Sequence, residues 1–147
     1  MGPRLLTPAP DFALYNHDHR LLTRQQITGP RGLLLGFTDD AWQPASVRRI
    51  LWLQRHAQRF QRLGVHIALL LCDRPQALYG FYMSSASPLL FPLLADADRR
   101  VHQAYHMDRY SGLVLVDAES CIRDKWLVPD ERVWPHAREL VLSFGAL

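Results

Sequence analysis

Two unbroken apolar runs stand out against an arginine-rich background: GLLLGF at 32–37 and VHIALLLC at 65–72. Runs of this length predict strands covered on both faces. Between them, residues 44–63 repeat with a helical period. Val47, Ile50, Leu51, Leu53, Ala57 and Phe60 make an apolar stripe, and Arg48, Arg55, Arg59 and Arg62 line the other side. Pro44 suits the first turn of that helix, and Gly64 is a natural stop. RPQALYGFYM (74–83) predicts a second helix, with Pro75 near its start and Asp73 as a candidate cap. DRRVHQAYHM (98–107) is a weaker helix, and PHARELVLSF (135–144) an amphipathic one. GLVLVDAESCIRDKWLV (112–128) reads as a hairpin turning near Asp117-Ala118-Glu119-Ser120. At the N-terminus, PDFALYN (10–16) and RLLT (20–23) are short extended pieces around the polar turn Asn16-His17-Asp18-His19. TRQQI (23–27) is a single helical turn closed by Gly29-Pro30.

Strand, helix, strand, helix, hairpin and final helix predict an α/β fold: a mixed sheet with helices on both faces. The crossover from 32–37 to 65–72 through a long helix predicts a parallel pair. At 147 residues, with no linker or repeat, the chain is read as one domain, residues 1–147.

Composition narrows the function classes only a little. Hydrophobic residues make up 48% and charged residues 21%, ordinary values for a globular protein. The longest apolar run is too short to cross a bilayer. MGPRLLTPAPDF has no apolar leader segment, so a cytoplasmic protein without a membrane association is the expectation. The net charge of +3, nearly all of it arginine, permits anion binding without demanding it. The basic face at 48–62 has no accompanying recognition motif, so nucleic acid is not an expected partner. Cys72 and Cys121 are too few and too far apart for a disulfide framework or a metal knuckle. The His17-Asp18-His19 turn has ligand-type residues, but a polar turn supplies these anyway, and neither a metal nor a cofactor is expected.

The motifs resemble those of the peroxiredoxin-like (AhpC/TSA) branch of the thioredoxin-like superfamily. APDFAL (9–14) is similar to its opening motif, HRLLTRQQITGPRGLLLGF (19–37) to its entry into the central strand, and FPLLADADRRVHQAYHM (91–107) to its Asp- and Tyr-containing segment. LVLVDAESCIRDKW (113–126) is similar to its closing hairpin, and AWQPASVRRI stands where the family has Trp-Cys-Pro-x-Cys. The resemblance implies a thioredoxin-like fold and a thiol peroxidase or oxidoreductase. In that chemistry a thiolate at a helix start is stabilised by the unpaired backbone N–H groups there.

By the same resemblance, Gln43 falls at the nucleophile position and Ser46 at the second cysteine position. Ser111 falls at the position of the family's arginine or cis-proline. Gln43 cannot ionise, and Ser46 has no adjacent base in sequence. In the family's Pro-x-x-x-Thr-x-x-Cys pattern the three positions hold Gly36, Asp40 and Gln43, and a carboxylate at Asp40 would oppose a neighbouring thiolate. The expectation is therefore a degenerate, redox-inactive site that binds an unknown small molecule or protein. Asp40, Trp42, Gln43, Pro44, Ser46 and Arg109 are the candidate lining residues. The alternative is a cryptic thiol peroxidase or disulfide oxidoreductase using Cys72, which ends its strand on the side where open α/β sheets build their sites. Cys72 also fits a small buried core position, and Cys121 fits one better still. A homodimer is one assembly this reading leaves open.

Overall fold

In the computed structural model, which describes residues 1–128 and 134–147, the elements follow in the expected order. They are β1 (Ala13–Tyr15), β2 (Leu21–Thr23), α1 (Arg24–Ile27), β3 (Gly32–Phe37), α2 (Pro44–Arg62) and β4 (Val65–Leu71), then α3 (Pro75–Met83), β5 (Leu93–Ala95), α4 (Arg100–Ala104), β6 (Ser111–Asp117), β7 (Ile122–Val128) and α5 (Ala137–Phe144). Five strands form one sheet in the order β5-β4-β3-β6-β7, and β1-β2 make a separate ribbon. β3 pairs with β4 in parallel, as the crossover predicts, and with β6 antiparallel. The sheet is mixed.

β3 is buried at every position because both of its faces are covered. Leu34 packs with Leu53, Ala57 and Phe60 of α2 and with Leu140 and Phe144 of α5. Leu33, Leu35 and Phe37 point the other way, among Phe12, Ile27, Val101 and Tyr105. The period of two along the strand thus assigns alternate side chains to two cores. Each fully buried Leu or Phe contributes about 1.5–3 kcal/mol.

Three local expectations need correction. Leu51 is 56% exposed: at 3.6 residues per turn it falls on the arginine side of α2, off the Leu53–Ala57–Phe60 row. Asp73 does not cap α3. Arg74 is the N-cap residue, and the Asp73 carboxylate instead accepts the Ala41 N–H at 2.6 Å, tying down the turn before α2. The short strand β5 lies inside FPLLADADRR, where three residues give too little pattern to read. The turn after β1 is as expected, with the Asn16 side chain accepting from the Asp18 and Arg20 N–H groups. Thr23 caps α1 in a capping box with Gln26. Among the described residues, no helix is long and apolar enough to cross a membrane.

Candidate functional site

The carboxyl ends of β3 and β4, the start of α2 and the start of β6 meet at one edge of the sheet. Gln43 is the N-cap residue of α2, in extended conformation (φ −68°, ψ 139°); its side chain makes no cap hydrogen bond and is exposed. Pro44 follows as the first helical residue. Trp42 is 59% exposed and meets Phe81 edge-on at 5.2 Å.

Beneath the helix start lies a buried polar network. Thr38, just past β3, is 2% exposed, Ser46 1% and Arg49 2%. The Arg49 guanidinium donates to Thr38 Oγ1 at 3.0 Å and to Ser111 Oγ at 3.1 Å. The Ser46 and Thr38 hydroxyls are 3.0 Å apart. Trp134 covers the guanidinium at 5.5 Å and donates its indole N–H to the Arg49 carbonyl. A buried cation is tolerable only when its N–H groups are used, and two of the partners here are hydroxyls at the ends of neighbouring strands.

On the other side of Thr38 the chemistry differs. Asp96 follows β5 and is 1% exposed. Its carboxylate accepts from the backbone N–H groups of Val101 and His102 and lies 2.6 Å from His102 Nδ1. Burial alone would raise its pKa, but these bonds outweigh it and hold the group below its ordinary range. With Nδ1 directed at Asp96, His102 Nε2 is left 3.2 Å from the Thr38 carbonyl and 3.6 Å from Cys72 Sγ. Cys72 is half-buried, immediately after β4. Burial pushes its thiol up to about 12; Arg99 opposes that shift, while Asp39, Asp96 and Asp73 add to it.

A small polar cleft of about 110 Å³ opens beside these groups. It is lined by Thr38, Asp39, Arg99, His102 and the run Asp108–Ser111. Arg99, in the left-handed region at φ 61°, donates to Asp39 at 2.8 Å and to the Asp108 carbonyl at 2.7 Å. The guanidinium thus spans the cleft between the turn after β3 and the loop before β6.

A family model described as AhpC/TSA matches residues 5–133, most of the chain. The chain belongs to the AhpC/TSA family. No curated protein matches it by sequence. Solved structures that resemble it include peroxidoxin BcpB from Mycobacterium tuberculosis, with 15% identity, TM-score 0.85, 99% of this chain covered and 98% of that one. Reduced 2-Cys peroxiredoxin from Plasmodium vivax is similar with 15% identity and TM-score 0.82, covering 97% and 94%. A yeast mitochondrial 1-Cys peroxiredoxin is similar with 14% identity and TM-score 0.82, covering 94% of this chain and 73% of that one. At these identities the likeness establishes the thioredoxin-like fold of an AhpC/TSA member.

Within this AhpC/TSA chain the residues singled out from sequence lie in separate places. Gln43, Pro44 and Trp42 lie on the surface at the start of α2, and Asp40 is in the turn before them. Ser46 lies beneath, bonded to Thr38, and its hydroxyl is part of the buried network. Of the residues named as lining, only Arg109 borders the cleft, joined there by Ser111. Cys72 does lie at this edge of the sheet. Cys121 is in the β6–β7 turn, where its N–H donates to Asp117. That is the opposite end of β6 from Ser111, about 20 Å away along the strand.

His17 stacks on Tyr82 at 3.8 Å and lies 3.3 Å from Asp18. Among the described residues no group of three or more His, Cys, Asp or Glu is arranged to hold a metal. Sequence reasoning missed Thr38, Arg49, Asp96, Arg99 and His102. Asp96 and His102 had one usable signal: an acid closing a short apolar run, followed six residues later by a histidine. Arg49 had a signal too: it stands four, eight and eleven residues before Leu53, Ala57 and Phe60, on the buried row of α2.

Proposed function

We propose that this AhpC/TSA protein is a binding module that runs no thiol chemistry from the start of α2, and that its ligand seats in the cleft between Thr38, Arg99 and Arg109. The single observation behind this reading is Arg49. Near the start of α2, where the family's chemistry would hold a thiolate, Arg49 donates to Thr38 and Ser111, and the Ser46 hydroxyl is bonded to Thr38. Gln43 offers an uncharged amide to solvent in place of a nucleophile. A ligand for the cleft is small and polar, with both donors and acceptors, because cationic and anionic groups line it together. The reading places the protein in the cytoplasm. Hydrogen peroxide consumption by the purified protein, with dithiothreitol as reductant, should not exceed that of the buffer. Turnover that survives in Cys72→Ser would sink the reading.

A second reading rests on a separate observation, the 3.6 Å approach of Cys72 Sγ to a histidine held by Asp96. This is the spacing of a thiol and its base. Here the Cys72 thiolate would attack a peroxide oxygen, break the O–O bond and leave as a sulfenic acid while the departing oxygen takes a proton as water. Burial and the surrounding carboxylates oppose forming that thiolate. Iodoacetamide labelling of the native protein at neutral pH separates the two readings. Rapid modification at Cys72, together with peroxide turnover lost in Cys72→Ser, would favour the enzyme.

A further inference from the structure

The outer face of α2 carries a feature that the cleft does not use. The helix has five arginines and no acidic residue. One, Arg49, is buried; Arg48, Arg55, Arg59 and Arg62 are exposed. At 100° per residue these four fall within about 60° of arc, on a line about 21 Å long, opposite the buried row. Among the described residues none of the four forms an ion pair; the arginines that do are Arg24, Arg99, Arg100 and Arg123. His56, at the edge of the line, is held below its ordinary range first by burial and then by Arg55 and Arg59. Leu51 and Trp52 flank the line on either side, Leu51 being 56% exposed.

We propose that this face docks an acidic helical segment of a protein partner, with Arg48, Arg55, Arg59 and Arg62 each pairing a carboxylate and Leu51 supplying apolar contact. Steps of seven, four and three residues recur along any second α-helix at the same rise. Acids at positions i, i+7, i+11 and i+14 would therefore meet all four guanidiniums in register. An evenly spaced phosphate backbone has no such register and no use for Leu51. Guanidinium forks bind carboxylates bidentately, and Arg and Trp are enriched at protein interfaces.

The test uses the intact protein and a stapled, fluorescein-labelled helical peptide with Glu at i, i+7, i+11 and i+14 and Leu beside them. A scrambled peptide of the same composition and a short DNA duplex serve as comparison probes. Fluorescence anisotropy should show saturable binding of the helical peptide that weakens with salt. It should fall at least about tenfold in Arg55→Glu/Arg59→Glu, and at least about fivefold in Arg55→Gln/Arg59→Gln. Leu51→Ser should weaken the helical peptide about threefold and leave the duplex unchanged. Circular dichroism checks the fold of each variant. If a variant misfolds, amide shift changes in the wild type on adding the peptide decide: confined to the outer face of α2 they support the proposal, elsewhere they overturn it. Absence of saturable binding, equal binding of the scrambled peptide, or tighter binding of the duplex would each overturn it.

Discussion

The two sides of Thr38 use buried polar groups for opposite ends. On one side, Arg49 binds Thr38 and Ser111, is covered by Trp134, and shares its space with Ser46. On the other, Asp96 and His102 form an equally well-bonded pair, but its far nitrogen faces Cys72 and the wall of an open cleft. Hydrogen bonding thus fastens a cation under α2 in one place and orients an imidazole in the other. What separates them is the neighbour: hydroxyls on one side, a thiol on the other.

The most damaging way to break the contrast is Arg49→Ala. It leaves the Thr38 and Ser111 hydroxyls without their charged donor and opens a cavity under α2, so urea unfolding should show a loss of about 3 kcal/mol or more. Asp96→Asn comes next, at about 2 kcal/mol near neutral pH, since it weakens three hydrogen bonds to a charged acceptor. That loss has a sign in pH. The Asp96 carboxyl titrates lower in the fold than in the unfolded chain, so the stability it supplies is present above about pH 4 and disappears as pH falls through its folded value. Unfolding curves of wild type and Asp96→Asn should converge in acid; a constant gap would show that the carboxylate's charge is not what matters.

A smaller effect should come from Cys72→Ser. The fold holds this thiol protonated, so the wild type should lose stability as pH rises above the unfolded thiol's value of about 8.5, and the serine variant should lack that decline. Alkylation of native Cys72 should likewise climb past about pH 10 without a plateau. A plateau near neutrality would mean that His102 has activated the sulfur and that the two sides of Thr38 differ by reactivity as well as by neighbour. The mildest change is Arg109→Ala, on the exposed rim. Stability should move by no more than about 0.5 kcal/mol, while any small molecule found by thermal-shift screening to bind the cleft should lose its effect.

The architecture was legible because its signals are long. Six apolar residues in β3 and a helix of 19 residues in α2 leave few alternative readings. At the site, local spacing set Gln43 and Ser46 at the start of α2 but not what they touch. Arg49, Thr38 and Ser111 belong to α2, the end of β3 and the start of β6, 62 residues apart at the extreme. Their meeting depends on sheet order, which hydrophobic spacing does not encode. The same holds for Cys72 and His102, joined across 30 residues. Leu51 differs for another reason: apolar character alone does not imply burial, and a helix of this length has room for an apolar residue on its solvent side.

The buried arginine also bears on what a thiol placed at the head of α2 would meet. Gln43→Cys would put a sulfur at the N-cap of α2, while the Nη1 group of Arg49 is engaged with two hydroxyls and Ser46 is bonded to one of them. Recruiting that guanidinium to the new sulfur would mean giving up those bonds. Folding and a new charge partner would thus compete for one side chain.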